Sequence, residues 1–408
     1  MRISTSSLYN SNVASMNTLE VQIAHTQQQI STGQRILSPS DDPSGAARAV
    51  ELLLSDSTNT QFATNRTAAT NTLSLSDGVL QSVTSLLQDA QTVAMTAGGG
   101  ALTDLDRKSL ATDLQSKLQD LLGFANSSDG AGSYLFSGAQ GKVQPFASTA
   151  AGVIYQGDDV QRKVQVAASR QVSSTDSGAD IFMRVRNGNG TFQAATVATN
   201  TGSGVISQGV VTDATQYNSN SYRVTFTVAA GVTTYSVDDM TSGLPVAVAG
   251  QTNVPYVSGQ AISFNGIQFG VSGAPANGDK FNITPSNNQS VFDTLQKLIT
   301  TLNAPVPSGN AVAIAALNQG LSDGLSALNQ SLNSVLGVRA TIGSRMNELD
   351  ALQVTGDQMG LQFKQTLSSI QDTDYNKAVT DLTQQKMILQ ASQQSFAQVS
   401  KLSLFSYL

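Results

Sequence analysis

Residues 9–43 read YNSNVASMNTLEVQIAHTQQQISTGQRILSPSDDP. Tyr9, Met16, Ile23, Ile30 and Leu37 recur at strict seven-residue spacing, and Asn12, Leu19, Thr26 and Gly33 form a weaker row beside them. A sustained seven-residue apolar repeat belongs to a helix that packs along one seam, so this stretch predicts a coiled-coil helix with a thin seam. The pattern stops at Ser38-Pro39-Ser40-Asp41-Asp42-Pro43. Asp42 suits an N-cap and Pro43 a first helical turn, so a second helix is expected to start there.

The other end of the chain repeats the design. Tyr375, Leu382, Leu389 and Phe396 are seven apart, with Ala378, Gln385, Ser392 and Val399 as the weaker row. Stronger helices lie inside the two ends. Leu73, Leu80, Leu87 and Ala94 share a face with Val83, Ala90 and Ala97, and Gly98-Gly99-Gly100 is expected to end that helix. Leu110, Leu114, Leu118 and Leu121 mark the next. Leu321, Leu328, Val335, Ile342 and Leu349 again repeat every seven residues, continuing through Gly356 to Phe363 and Ile370. Tyr375 is out of phase with Ile370, which makes Asp372-Thr373-Asp374 a joint. An apolar stripe is more often an intramolecular core than an interface, and the inner helices are read that way.

The middle changes period. Tyr222, Val224, Phe226 and Val228 alternate with Arg223, Thr225 and Thr227, which is strand spacing, and Val232 to Val237 follow Ala230-Gly231 as the return strand. Ile262 and Phe264 lead through Asn265-Gly266 to Ile267, Phe269 and Val271. Asn-Gly between alternating runs is the strongest short hairpin signal. Val160, Arg162, Val164 and Val166 read as a further strand. The expected class is α+β: a long antiparallel helical bundle or coiled coil built from the N- and C-terminal segments, with an inserted mainly-β domain. The expected divisions are terminal helices at 1–40 and 372–408, a helical bundle at 41–145 and 285–371, and the β-rich insertion at 146–284.

Composition narrows the function. Only 12% of the 408 residues are charged, about half of the ~25% usual in soluble chains. Ser, Thr, Asn, Gln and Gly supply the polarity instead. Such a surface can pack against copies of itself without burying many charges, each costly unless paired. The net charge of −6 and the absence of any basic run disfavour a nucleic-acid partner. There is no Cys, hence no disulfide, thiolate metal site or Cys nucleophile. No run approaches the ~18 apolar residues of a membrane helix, and Met1-Arg2-Ile3-Ser4-Thr5-Ser6-Ser7 lacks the apolar core of a secretory signal.

Catalytic motifs are equally sparse. His25, the one histidine, sits beside the N-terminal seam among Thr26, Gln27, Gln28 and Gln29 and reads as a partly packed helix-surface residue. Asp41-Asp42 and Asp158-Asp159 could be metal ligands or an acid–base pair, but each falls at a turn or cap, where Asp is common anyway. Gly98-Gly99-Gly100 is not followed by the Lys-Ser/Thr of a phosphate loop. No catalytic residue, cofactor or metal is expected.

The thin terminal seams point outward. Ordering a residue costs about 1–2 kcal/mol of backbone freedom, and full burial of one large apolar side chain contributes roughly 1.5–3 kcal/mol. One such residue in seven does not sustain a lone helix, so the ends are expected to order only when packed. The expected assembly interface is Tyr9, Met16, Ile23, Ile30, Leu37, Tyr375, Leu382, Leu389, Phe396 and Val399.

Several motifs resemble one family. Ile30-Ser31-Thr32-Gly33-Gln34-Arg35-Ile36, followed by SPSDDPSG at 38–45, resembles the N-terminal signature of bacterial flagellins and their relatives. Ile370 to Tyr375 and Ile388-Leu389-Gln390-Ala391-Ser392 resemble the matching C-terminal signature. Ser133-Tyr134-Leu135-Phe136-Ser137-Gly138, Tyr155-Gln156-Gly157-Asp158, the stretch Gly273 to Phe281 and the closing Leu402 to Leu408 resemble the hook-associated branch of that family. The likeness covers about 1–170 and 260–408, and 175–255 carries no matching motif. It implies a non-enzymatic structural protein of the flagellum, outside the cell, exported without a cleaved signal peptide. It implies a homo-oligomeric ring between a sister hook-associated protein and flagellin, with terminal helices inward and the β domain outward. It also implies a cytoplasmic export chaperone on the C-terminal helix. The rival readings are a flagellin-type filament subunit, the sister hook-associated protein on the hook side, an adhesin using the β domain, and a hydrolase carried in it.

Overall fold

The computed structural model describes residues 5–99 and 102–405, apart from the side chains of residues 5, 6, 8 and 399–405. The chain divides into two compact units, residues 1–65 with 351–408, and residues 66–350.

Six α-helices are present among the described residues: α1 (Thr5–Thr32), α2 (Pro43–Ala97), α3 (Asp104–Ala125), α4 (Val291–Asn303), α5 (Ala311–Gln371) and α6 (Tyr375–Phe405), with a single π-helical turn at Ala179–Met183. Their ends follow local chemistry. Gly33 stops α1 in the left-handed region, at φ +72°. Asp42 caps α2 by accepting the Gly45 N–H at 2.9 Å, just ahead of Pro43. Thr103 and Asp106 form a reciprocal capping box at α3, and Ser290 caps α4.

The inner helices pack within residues 66–350. Leu73, Leu80, Val83, Leu87, Ala90 and Ala94 of α2 are fully buried, as are Leu114 and Leu121 of α3. Leu328, Val335 and Ile342 of α5 are equally buried, and Leu321 and Leu349 nearly so. The seven-residue rows thus mark core faces. Helix α4 lies in the stretch 285–371 expected to be helical, although no residue pattern marked it as a separate helix. It buries Val291, Phe292, Leu295, Leu298, Ile299 and Leu302 on one face, and the loop at 304–310 separates it from α5.

The strands fill 146–289. β1 (Phe146–Thr149) pairs with β2 (Gly152–Tyr155), β3 (Lys163–Ala167) with β4 (Arg170–Ser173), and β5 (Val185–Arg186) with the later β16 (Asn288–Gln289). The sheet domain contains β6 (Phe192–Thr196), β7 (Val205–Ile206), β8 (Val210–Val211), β9 (Tyr222–Ala229), β10 (Val232–Asp239), β11 (Val246–Ala247), β12 (Val254–Pro255), β13 (Ala261–Phe264), β14 (Ile267–Ser272) and β15 (Lys280–Pro285). One antiparallel sheet runs β11-β10-β9-β15-β6 with β12 also on β10, and another runs β13-β14-β7 with β8 also on β14. Both expected hairpins are present: β9–β10 turns at Ala230-Gly231 and β13–β14 at Asn265-Gly266, all four residues at positive φ. The alternating residues Tyr222, Val224 and Phe226 enter a shared core with Phe192, Ile267, Phe269 and Phe281. The strand expected from Val160 is shorter. It starts at Lys163, because Asp158 Oδ1 accepts the Val160 N–H at 3.1 Å and holds that segment as a turn.

Three of the motifs that carried the resemblance are packing hubs. Asp279 is 2% exposed, and its carboxylate accepts the N–H groups of Thr201, Gly202 and Ala276, tying the β6–β7 connection to the β14–β15 connection. Tyr155 Oη donates to the carbonyls of Phe136 (3.1 Å) and Asp158 (2.8 Å). Asp158 Oδ1 accepts the Ala139 N–H at 2.7 Å. Gly138, at φ +70°, lies against Asp158 so closely that any side chain there would collide with it. The stretches 133–138 and 155–158 are therefore two halves of one interlock.

Candidate assembly interface

In the unit formed by the two chain ends, α1 and α6 run antiparallel. The rings of Tyr9 and Phe396 meet with centroids 5.0 Å apart, Thr26 Oγ1 donates to Gln385 Oε1 at 3.2 Å, and Gln34 bridges Asp372. Met16, Ile23 and Ile30 of the strong row are half-buried, as are Asn12 and Leu19 of the weak row, and Thr26 is buried. On α6, Leu382, Gln385, Leu389, Ser392 and Phe396 are half-buried and Ala378 is buried. Both rows from both ends thus share one seam. Two helices alone can only half-cover it, because a two-stranded pair leaves each knob open on its outer side.

Three of the expected residues stand apart. Leu37 is not on α1. Gly33 ends the helix one turn earlier, and Leu37 lies half-buried in the following loop, donating its N–H to Asp41 Oδ2 at 2.9 Å. A heptad count runs on through a helix end that a left-handed glycine has already fixed. Tyr375 begins α6 and is 54% exposed, its hydroxyl against Gly33. The Val399 side chain lies outside the described residues, as do the side chains of Leu402 to Phe405 and the whole of residues 406–408.

The joint between the ends and the longer helices is densely bonded. The Arg35 N–H donates to the Gln371 carbonyl at 2.6 Å and the Thr373 N–H to the Gly33 carbonyl at 2.9 Å. The Arg35 guanidinium reaches the Ile370 carbonyl at 2.7 Å and Asp42 at 3.2 Å. Asp41 accepts the N–H groups of Leu37 and Ser38, and His25 Nε2 lies 3.3 Å from its other oxygen. The Ser38 N–H holds the Asp41 carboxyl below the usual carboxylate range, and the Gly45 N–H does the same for Asp42. Both carboxylates are occupied as caps and staples. The Asp158-Asp159 pair is likewise spent, Asp158 on backbone N–H groups and Asp159 on Arg184.

Besides Tyr9 and Tyr375, which are 53% and 54% exposed, the large apolar side chains left open in this unit lie off the seam. Val21 is 69% exposed, Met387 65%, Val379 50% and Ile388 46%. Further along, Val50, Leu53 and Leu54 of α2 are exposed, as are Val354 and Leu361 of α5. The Asn59 amide donates to the Gly356 carbonyl at 2.8 Å, which sets the antiparallel level and brings Leu54 and Leu361 to the same height. Heptad counting passed over these residues because they are out of phase. Their signal in the sequence is a large apolar residue out of phase with the seam, alone as at Val21 and Leu361 or beside another apolar residue as in Leu52-Leu53-Leu54 and Met387-Ile388-Leu389. No helix among the described residues is long and apolar enough to cross a membrane.

Comparison with known proteins places this arrangement. Residues 3–141 match the bacterial flagellin N-terminal helical region, residues 325–408 the bacterial flagellin C-terminal helical region, and residues 195–285 the D2-like domain of flagellar hook-associated protein 1. Flagellar hook-associated protein 3 of Salmonella typhimurium is 29% identical over 99% of both chains. The crystal structure of flagellar hook associated protein-3 from Legionella pneumophila is 32% identical, with a TM-score of 0.72 over 78% of this chain and 98% of that one. The flagellar junction protein FlgL from Legionella pneumophila is 32% identical, with a TM-score of 0.70 over 81% of this chain and all of that one. With paired helical ends, an inserted sheet domain and full-length likeness to these proteins, the chain belongs to the flagellar hook-associated protein 3 family.

Proposed function

We propose that this chain is the structural adaptor that joins the flagellar hook to the flagellin filament. The observation that carries the reading is the set of exposed apolar side chains on the helical ends, Val21, Leu54, Leu361 and Met387 among them, in a member of the hook-associated protein 3 family. Apolar area of this kind, left open on helices among the described residues, favours packing against further chains. Copies form a ring, with a sister hook-associated protein on one axial side and flagellin on the other. The α1–α6 seam, Tyr9 through Phe396, shapes the helical pair, and the off-seam residues meet the neighbours. The chain acts outside the cell without catalysis, leaves without a cleaved signal peptide, and is held before export by a chaperone on α6.

Antibody-gold labelling of sheared flagella, with antibody to residues 175–255, tests the role. A single narrow band at the hook–filament boundary is expected. Label along the whole filament would make the chain a filament subunit instead. Ile23→Asp or Leu389→Asp should abolish incorporation by placing an unpaired charge in the seam. Normal filament growth in these variants would show that the seam is dispensable for assembly.

A further inference from the structure

Arg162 precedes β3 and is half-buried, yet its guanidinium makes no hydrogen bond or ion pair among the described residues, and its Nε is shut away from solvent. The backbone around it is fixed. The Arg162 N–H donates to Thr175 Oγ1 at 3.2 Å, and its carbonyl accepts the Ser174 N–H at 2.8 Å. The side chain lies against Gly141. A Cβ added there would come 3.4 Å from Arg162 Nη1 and 3.5 Å from Ser133 Oγ, so the glycine leaves a shallow floor between a guanidinium and a hydroxyl. On the adjoining loop the Gly132 carbonyl accepts from Lys142 Nζ at 3.2 Å.

Arg162, Ser133 and Lys142 are thus gathered around two glycines. Asp129 is near enough for both cations to favour its ionised form. Its Oδ1 is taken up by the Ala131 and Ser133 N–H groups, each at 2.9 Å, and it pairs with neither cation. Two cations against one carboxylate leave this socket positive. A guanidinium offers parallel N–H groups that match a carboxylate, and a shielded Nε without an acceptor favours the arrival of one.

The opposite charge stands on α2 and α3. Asp89, Asp113 and Asp120 are exposed there, and Lys117 Nζ is 3.7 Å from Asp89 and 3.9 Å from Asp113. Asp120 has no partner among the described residues. It borders a groove of about 350 Å³ between the two helices, beside Leu86 and Phe124. Three carboxylates against one lysine leave this face negative.

We propose that Arg162, with Lys142 and Ser133, is a socket for a carboxylate of a second copy of this chain, filled by Asp120 on α3 of that copy. The two patches are different surfaces, so the contact is head-to-tail, the type that closes into a ring. The proposal rests on the ring reading above in one respect, that copies touch.

Isolated flagella carrying each variant are blotted for the chain and gold-labelled. Arg162→Glu and Asp120→Arg should each lower the amount incorporated by at least about tenfold, because each sets like charges face to face. Combined in one chain, they should restore it to within about twofold. Asp120 is exposed, so Asp120→Arg should leave monomer unfolding unchanged, which separates lost contact from lost fold. Either single variant incorporated at the parent level would overturn the socket. Two defective single variants whose combination stays defective would overturn the second copy as its occupant. Gold along the whole filament, with the loss and restoration intact, would overturn the junction role and support the contact between copies.

Discussion

In the sheet domain Phe192, Tyr222, Phe226, Ile267 and Phe281 are no more than 1% exposed, whereas in the helical ends Val21, Leu54, Leu361 and Met387 are 59–69% exposed. The two regions draw on the same kinds of side chain. What separates them is the number of layers each can assemble from one chain. Two antiparallel sheets enclose a core between their inner faces. A pair of helices can cover only the stripe that each presents to the other, and apolar residues off that stripe wait for another chain. The sheet domain should therefore be finished as a monomer, and the ends should be finished by assembly.

Substitutions should break this contrast in graded fashion. Phe226→Ala empties the centre of the sheet core, where Phe226 meets Tyr256 and Phe281 edge-on at 5.1 and 5.7 Å. It should cost about 3–5 kcal/mol in denaturant unfolding of the monomer. Asp279→Ala leaves three backbone N–H groups without their acceptor, and a loss on the order of 3 kcal/mol is expected in the same measurement. Gly33→Ala forces a left-handed φ on a residue with a Cβ and crowds the Tyr375 hydroxyl. It should cost about 1–2 kcal/mol, read as earlier melting of the end helices by circular dichroism. Leu54→Asp should move monomer stability by no more than about 0.5 kcal/mol. That smallest change should nevertheless abolish incorporation into flagella, as scored by filament length. A Leu54→Asp chain that assembles normally would remove α2 from the interface.

The helical ends were legible because a seven-residue repeat survives without tertiary context. It gave α1, α6 and the core rows of α2 and α5 nearly residue by residue. It could not say whether a row faces its own chain or another, and the rows from Tyr9 and Tyr375 face each other. The β9–β10 and β13–β14 hairpins were legible from alternation and from Asn265-Gly266. The two-residue strands β5, β7, β8, β11, β12 and β16 were not, because each contains too few residues for a period to show. Helix α4 was legible only as part of the helical stretch 285–371 and not as a separate helix, because its apolar face spans fewer than two heptads and no seven-residue repeat could develop. The motifs at 133–138, 155–158 and 273–281 pointed to the family as letters alone. Their physical reason, the Tyr155–Asp158 interlock and the buried Asp279, depends on loops that meet only in the fold.

Hydrogen–deuterium exchange, followed by mass spectrometry on soluble monomer and on isolated flagella, tests most directly whether the ends are completed by assembly. In the monomer, amides of the sheet domain and inner helices should be protected for hours, while 5–65 and 351–405 exchange within seconds to minutes; in flagella the ends should become protected as well. Ends as protected in the monomer as the sheet domain would contradict this, and would mean that the α1–α6 pair is stable without any partner.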